Sequence, residues 1–242
     1  MNNYLILIIP TISGLLTVLG VIPTYFNINQ NKIINFSLSF SLGVMSTISI
    51  ISLIPESFNY LDRSIIENII YILIFINIGI LTNKLIDKKI NINNNLYKIG
   101  IISMIAIILH NIPEGIITAI TTASNLSLGL SLMVAIALHN IPEGISIAIP
   151  LYYATKSRKK AYLYTFISGI SELIGAVISL VFLKDIINNF ILAALLGITA
   201  GIMLDISLNE LLKESLSYNN KKITITSIIL GIVIMLICKY FL

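Results

Sequence analysis

The sequence predicts an all-α membrane protein with eight transmembrane helices and inverted repeats around a central pair, the fourth and fifth helices. Of the 242 residues, 57% are hydrophobic and only 11% are charged, whereas soluble domains carry about 25% charged residues. The mean hydropathy of +0.97 is too high for a water-exposed surface. The apolar stretches are continuous and do not alternate, which excludes a transmembrane β-barrel. We therefore expect one transmembrane domain over residues 1–242.

Charge and cysteine content exclude several other classes of protein. The 15 basic residues behind the net charge of +4 are scattered over short connections. Membrane topology accounts for them, so nucleic-acid binding is not expected. Cys238 is the only cysteine, which rules out an intrachain disulfide and a thiolate metal cluster. The first four residues include no Lys or Arg, so the first apolar stretch is expected to remain as a span and not to be cleaved.

Each predicted span is an apolar stretch long enough to cross the hydrocarbon core, which is about 30 Å thick and takes about 20 helical residues. Numbered 1 to 8 in chain order, the predicted spans cover residues 4–22, 34–55, 65–83, 98–121, 127–150, 161–183, 187–209 and 222–241. The connections between them are short and polar, so none of them separates a second domain.

Basic residues are distributed unequally between the two sides of the membrane that these spans define. Twelve of the 15 lie in or beside the connections that follow spans 1, 3, 5 and 7, whereas Arg63, Lys184 and Lys239 lie on the other side. Connections rich in Lys and Arg are retained in the cytoplasm. We therefore expect both termini outside the cell and the protein in the plasma membrane.

Two internal repeats have the character of inverted repeats. The hexapeptide His-Asn-Ile-Pro-Glu-Gly occurs at residues 110–115 and again at 139–144, on consecutive spans. A fainter repeat relates span 2 to span 7 at an offset of 158 residues. Its members in span 2 are Gly43, Met45, Ser49, Leu53, Glu56 and Ser57, which match Gly201, Met203, Ser207, Leu211, Glu214 and Ser215. Inverted repeats are typical of transporters whose site lies near the membrane midplane.

Four acidic residues fall well inside the predicted spans, and none has a Lys or Arg nearby in its own span. These are Glu114, Glu143, Glu172 and Asp205. A charge at the centre of a bilayer costs about 2.5–3.5 kcal/mol on insertion scales, so such residues face an internal cavity or a ligand. An unpaired carboxylate in this environment must either be protonated or bind a cation.

The spacing within the hexapeptide favours a cation. His110 and Glu114 are four residues apart and share one helix face, with Asn111 adjacent. Span 5 repeats this arrangement with His139, Asn140 and Glu143. Mixed nitrogen and oxygen ligands suit Zn²⁺, Fe²⁺, Mn²⁺ or Co²⁺, whereas Ca²⁺ and Mg²⁺ prefer oxygen and Cu⁺ prefers sulfur.

The hexapeptide also contains a proline and a glycine that affect the backbone. Pro113 and Pro142 each remove one helical hydrogen bond, and the freed carbonyl groups must be satisfied or face a cavity. Gly115 and Gly144 allow another helix to approach closely. The motif therefore combines ligands, a perturbed backbone and a packing notch.

Other polar residues carry weaker signals. Glu172 is a further candidate ligand, although it could instead bond to its neighbours Ser168 and Ser171. Asp205 and Asn209 lie on one face of span 7, and Glu210 lies near its end. These three are candidates for the transport pathway, with a solvated helix end as the alternative for Glu210.

The paired hexapeptides, the stretch 167–172 and the pattern over 201–211 together resemble the ZIP family of divalent-metal transporters, especially its bacterial zinc-uptake members. The resemblance covers nearly the whole chain and implies eight helices, termini outside, and a two-metal centre on spans 4 and 5. It assigns His110, Glu114, His139 and Glu143 to the first metal position, Asn111, Glu114, Glu143 and Glu172 to the second, and Glu210 to the exit.

The chain departs from the family pattern in two places. Many members carry histidines in the connection before the fourth helix, but residues 84–98 hold none, so metal sensing by that connection is not expected. Some members carry an acid where Asn140 stands, and the neutral amide should weaken the second position.

These features predict a carrier that imports a divalent transition metal, with Zn²⁺ as the first candidate, by alternating access. No phosphate-binding loop is present, so ATP is not the direct driver. We expect no enzyme activity and no catalytic cofactor; the expected partners are divalent metal ions and lipids, with a homodimer left open. The alternatives are a broad-specificity Fe²⁺, Mn²⁺, Co²⁺ or Cd²⁺ carrier and a metal-selective channel. An intramembrane metalloprotease is a remote alternative, because such enzymes require the motif His-Glu-x-x-His and Asn111 stands where that motif has glutamate.

Overall fold

The computed structural model describes residues 3–182 and 188–241, and within these ranges the chain is almost entirely helical. Eight of its helices are long and apolar enough to cross a membrane, as predicted. They run over Tyr4–Tyr25, Gln30–Asn59, Ile65–Lys89, Asn95–Ser124, Leu126–Thr155, Arg158–Val181, Asn189–Ser217 and Lys221–Tyr240. The predicted end of span 6 at 183, the predicted start of span 7 at 187, and Lys184 lie outside the described residues.

Most helices extend a few residues beyond the predicted apolar stretches, because polar residues cap their ends. Asn29 accepts hydrogen bonds from the backbone of Asn31 and Lys32 at the start of span 2. Ser64 and Glu67 form a reciprocal capping box at the start of span 3. Such caps satisfy backbone N–H groups that have no partner in the first helical turn. Hydropathy alone therefore underestimates the helix lengths.

Span 1 is less regular than predicted. An α-helix over Asn3–Leu15 is followed without a break by a 3₁₀-helix over Leu16–Tyr25. Within the tighter segment, Gly20 lies against the backbone of Gly144 in span 5, where any side chain would collide. This contact brings span 1 directly beside the second hexapeptide.

Spans 2 and 7 contain the same rare irregularity at matching positions. Each changes from an α-helix to a π-helix and back, over Ser49–Leu53 in span 2 and Ser207–Leu211 in span 7. The two π-helices are offset by 158 residues, which is also the offset of the fainter sequence repeat. Because π-helices are rare, their shared position supports the inverted repeat of spans 2 and 7.

The buried share is equal or similar within four pairs of spans: 1 and 6, 2 and 7, 3 and 8, and 4 and 5. Within an apolar 18-residue stretch of each helix, the buried share is 44% for spans 1 and 6 and 22% for spans 3 and 8. It is 72% and 67% for spans 2 and 7, and 67% and 56% for spans 4 and 5. Spans 3 and 8 are therefore peripheral, and spans 2, 4, 5 and 7 form the interior.

Glycines bring the two peripheral spans into close contact with interior spans, span 8 with span 2 and span 3 with span 7. Gly43 in span 2 packs against the backbone of span 8, and Gly231 in span 8 packs against span 2. In the same way, Gly201 in span 7 and Gly79 in span 3 face each other's helices. Small residues at such contacts allow close backbone packing in membranes.

Connections predicted to lie on one side of the membrane meet in the structure. Lys156, after span 5, donates a hydrogen bond of 3.0 Å to the side chain of Gln30, at the start of span 2. Arg158 donates to the backbone carbonyl of Thr24, which follows span 1 in the prediction. At the other end of the molecule, the Lys239 ammonium donates to the carbonyl of Ile51. This arrangement agrees with the predicted alternation of the spans.

Candidate metal centre

The two hexapeptides meet at the centre of the helix assembly. The Oε1 atom of Glu114 lies 2.9 Å from His139 Nε2 and 3.1 Å from His110 Nε2. Glu143 Oε1 lies 3.4 Å from His110 Nε2. His110, Glu114 and His139 each offer one ligand atom, and these atoms lie within 4.8 Å of one another. All four side chains are buried. The two residue pairs predicted from the spacing therefore meet across spans 4 and 5, because Glu114 contacts His139 and Glu143 lies beside His110.

The local backbone of the hexapeptides is a continuous helix on both spans. Asn95–Ser124 passes through Pro113, and Leu126–Thr155 passes through Pro142. The Ser41 hydroxyl donates a hydrogen bond of 3.0 Å to the carbonyl of Pro142, which ties span 2 to the second copy. Hydroxyl groups of neighbouring helices commonly support backbone near a proline inside membranes.

The motif glycines bring two further helices against the ligands. A side chain on Gly115 would collide with the backbone carbonyl of Glu172 in span 6. A side chain on Gly144 would collide with the backbone carbonyl of Thr17 in span 1. Spans 1 and 6 can therefore pack directly on the two ligand helices.

Several acceptor atoms in this region have no hydrogen-bond partner among the protein atoms described. They are His110 Nδ1, Asn111 Oδ1, Glu114 Oε2, Asn140 Oδ1 and both carboxylate oxygens of Glu143. Buried polar atoms are nearly always hydrogen-bonded, so each exception requires an explanation. Carboxylate and amide oxygens together with imidazole nitrogens are suitable ligands for a divalent cation.

Glu172 belongs to a hydrogen-bond network beside the histidines. Its Oε2 accepts a bond of 2.5 Å from the Ser13 hydroxyl, and its Oε1 accepts one of 2.5 Å from Asn140 Nδ2. Asn140 Nδ2 also donates to the backbone carbonyl of Ser13, while Asn111 Nδ2 donates to the carbonyl of Ser168. The structure thus brings Glu172 and Asn140 together, and it adds Ser13, which the sequence did not single out.

The three candidates on span 7 lie in different surroundings. Asp205 is buried, and its Oδ2 accepts a bond of 2.8 Å from Asn83 in span 3. Its Oδ1 accepts one of 2.7 Å from Asn209. Glu210 is half-buried and interacts electrostatically with Asp87 and Lys98. Among the described contacts, these residues do not bond to the hexapeptides. Asn83 was missed, although an asparagine at the end of predicted span 3 was a usable signal.

A cavity of about 470 Å³ leads to the buried histidines and carboxylates. Glu114 and His139 lie among its lining residues. Its other lining residues belong to the end of span 2, the end of span 4, the start of span 5, the start of span 7 and the end of span 8; they include Glu56, Thr121, Ser131, Leu196, Cys238 and Lys239. These helix ends all lie on the side of the molecule that the sequence predicts to be outside the cell.

Comparison with known proteins gives consistent matches. A family model described as ZIP zinc transporter matches residues 92–239. A protein of Chlorobium limicola named zinc transporter ZupT is 38% identical, with 97% of this chain and 96% of that protein covered. Proteins of the same name from Streptococcus mutans and Oceanobacillus iheyensis are 37% and 34% identical, and more than nine tenths of each chain is covered.

Proposed function

The chain belongs to the ZIP family of zinc transporters, and on that premise we propose that it imports Zn²⁺ across the plasma membrane into the cytosol. Its family and its eight apolar helices identify it as a multi-pass membrane protein and a transporter, not an enzyme such as an intramembrane metalloprotease. The main support for the proposal is the buried cluster of His110, Glu114 and His139 beside a cavity.

The first metal position is formed by His110, Glu114, His139 and Glu143. Zinc binds nitrogen and oxygen ligands at about 2.0–2.2 Å, so ligand atoms around one ion lie about 3–4 Å apart. The three measured separations, between 2.9 and 3.4 Å, are compatible with that requirement. The imidazoles and carboxylates would replace the water shell of the ion inside the membrane.

The second metal position lies beside the first and shares Glu114 and Glu143 with it. Asn111, Glu114, Glu143 and Glu172 are its ligands, and Asn140 lies beside them. The unpartnered oxygens of Asn111, Glu114 and Glu143 support this assignment. Glu172 differs from them, because both of its oxygens already accept hydrogen bonds.

The ion reaches the centre through the cavity and leaves toward the cytoplasm. The cavity lies between helix ends that the sequence predicts to be outside, which supports its role as the outward-facing route. Alternating access would then close this cavity and open a route on the side rich in Lys and Arg, where Glu210 lines the exit. A homodimer, which the sequence left open, stays a prediction.

A broader specificity is the second candidate function. Two imidazoles with carboxylates accept several divalent ions, and affinity alone follows the order of the transition series. The observed donor set therefore also supports transport of Fe²⁺, Mn²⁺, Co²⁺ or Cd²⁺. Competition of each ion with Zn²⁺ uptake in liposomes separates the two candidates.

Uptake by proteoliposomes that contain the purified protein tests the proposal. We expect saturable Zn²⁺ uptake that disappears in the double variant Glu114→Ala, Glu143→Ala, because the metal loses both shared carboxylates. The matched control is Glu67→Gln, which changes an exposed acid of span 3 that does not line the cavity. Uptake that survives the double substitution would show that the metal crosses elsewhere, and uptake that does not saturate would indicate a channel.

A further inference from the structure

Among the proposed glutamate ligands, Glu172 is the only one whose two carboxylate oxygens both accept hydrogen bonds within the described residues. The Ser13 hydroxyl and the Asn140 amide each bind one of its oxygens at 2.5 Å. The other two glutamates of the centre each retain at least one oxygen with no hydrogen-bond partner. Glu172 also distinguishes the two metal positions, because it is assigned only to the second.

We propose that Ser13 is a positioning residue that holds Glu172 away from the second metal position. Glu172 then reaches an ion in that position only after its carboxylate turns away from the Ser13 hydroxyl, so this hydrogen bond competes with the metal for Glu172. This inference rests on the proposed function, and it assigns to span 1 a role in the metal centre. An order of binding would follow from it. The first ion binds while the bond between Ser13 and Glu172 is intact, whereas full binding of the second ion requires that this bond is broken.

Close backbone packing around Ser13 prevents this residue from moving together with the Glu172 carboxylate. A side chain on Gly14 would collide with the carbonyl of Gly169, and one on Gly169 would collide with the carbonyl of Gly14. Spans 1 and 6 are therefore in direct backbone contact next to Ser13 and Glu172. Because neither helix has room to shift toward the other, Glu172 must break the hydrogen bond in order to rotate toward a metal.

Asn140, in span 5, also holds the Glu172 carboxylate in place. Its Nδ2 atom donates both to Glu172 Oε1 and to the backbone carbonyl of Ser13, the latter at 3.0 Å. Ser13, Asn140 and Glu172 are all buried, so water does not compete for these bonds. Release of Glu172 would consequently loosen the contact of span 1 with both span 5 and span 6.

Zinc titration of the purified full-length protein by calorimetry tests the inference. We expect one tightly bound ion and one weaker ion in the unchanged protein. In Ser13→Ala the second ion should bind about tenfold more tightly, because the hydrogen bond from the Ser13 hydroxyl to Glu172 no longer competes, and the first should change less than about twofold. Ser13→Thr keeps the hydroxyl and should restore the original second affinity.

Thr11→Ala is the matched control, because the Thr11 hydroxyl bonds only to the Leu7 carbonyl of its own helix in the described contacts. It should leave both affinities unchanged. Ser13→Gly lacks the hydroxyl as well and must show the same gain as Ser13→Ala. In a Glu172→Gln background, Ser13→Ala should have no effect on the second ion.

The two hypotheses fail in different ways. If the first ion binds normally in Ser13→Ala and Ser13→Gly but the second is unchanged or weaker, the role of Ser13 is wrong. If the unchanged protein binds no tight ion that Glu114→Ala removes, the proposed metal centre itself is wrong. The tight first ion also reports that each variant is folded.

Discussion

The candidate metal centre and the Asp205 cluster both bury carboxylates among membrane helices, but the carboxylates differ in their hydrogen bonds. In the centre, Glu114 Oε2 and both oxygens of Glu143 have no hydrogen-bond partner among the described protein atoms. At Asp205, one oxygen accepts a bond from Asn83 and the other accepts one from Asn209. Hydrogen bonding, and not burial alone, therefore separates Glu114 and Glu143 from Asp205.

This difference indicates different uses for the same chemical group. Two neutral amides stabilise Asp205 where it stands, and they join span 3 to span 7 beside the close contact of Gly79 and Gly201. Hydrogen bonds between membrane helices stabilise packing in this way. Glu114 and Glu143 are left with acceptor capacity that a cation can use. We expect the first region to matter for transport and the second for stability.

The largest expected effect is on transport by Glu114→Gln. The amide keeps the shape of the side chain but removes the charge that contacts both histidines. Changing a group behind a metal ligand already costs about 10–100-fold in affinity or activity, so we expect loss of a ligand to lower Zn²⁺ uptake by about 100-fold or more. Initial uptake rates in proteoliposomes measure this. A rate close to that of the unchanged protein would remove the distinction between the two regions.

A smaller effect, on stability, is expected for Asp205→Ala. The change removes two hydrogen bonds to a charged group and leaves the buried Asn83 amide without its acceptor. Such bonds contribute about 1.5–3 kcal/mol each in soluble proteins and about 0.6 kcal/mol on average between membrane helices. We therefore expect the free energy of unfolding to fall by about 1–3 kcal/mol.

Uptake per folded molecule should nevertheless be retained in Asp205→Ala. Unfolding in a denaturing detergent measures the free energy of unfolding, and Zn²⁺ uptake normalised to folded protein measures transport. Asp205→Asn, which preserves the volume of the side chain, serves as the milder control. A loss of transport as large as that of Glu114→Gln would place Asp205 in the transport pathway.

The smallest effect is expected at Cys238, which lines the cavity but contacts neither region directly. A membrane-impermeant thiol reagent added outside intact cells should react with this half-buried thiol and slow uptake only in part, by narrowing the cavity. Cys238→Ser should transport normally and be insensitive to the reagent. Reaction only from the cytoplasmic side would reverse the predicted orientation of the protein.

The sequence could predict the spans and the paired ligands because both depend on local properties. Apolar length identifies a membrane helix without knowledge of its neighbours, and the four-residue spacing of His110 and Glu114 puts them on one face in any helix. The meeting of the two copies followed from their identity and from the alternation of the spans. The eight helices and the contacts between the two hexapeptides are observed as predicted, whereas metal binding by these residues stays a prediction.

The partners of single polar residues could not be predicted, because they depend on tertiary packing. Ser13 lies within hydrogen-bond distance of the carbonyls of Ile9 and Pro10 in its own helix, which is the usual arrangement for a serine in a membrane helix. Nothing in its neighbourhood along the chain indicates Glu172 as a further partner. The same holds for the π-helices, since the repeat predicted that spans 2 and 7 are alike but not what form they share.

The π-helix of span 2 changes the helical phase of the residues that follow it. In a regular α-helix, at about 100° per residue, Ser41 and Ser57 would point about 160° apart around the axis. A π-helix absorbs one extra residue, which reduces that angle to about 60°. Both serines can thus bond to interior helices, Ser41 to span 5 and Ser57 to span 7. A single helical wheel therefore cannot represent this span, and Glu56, which lines the cavity, lies in the segment whose phase is changed.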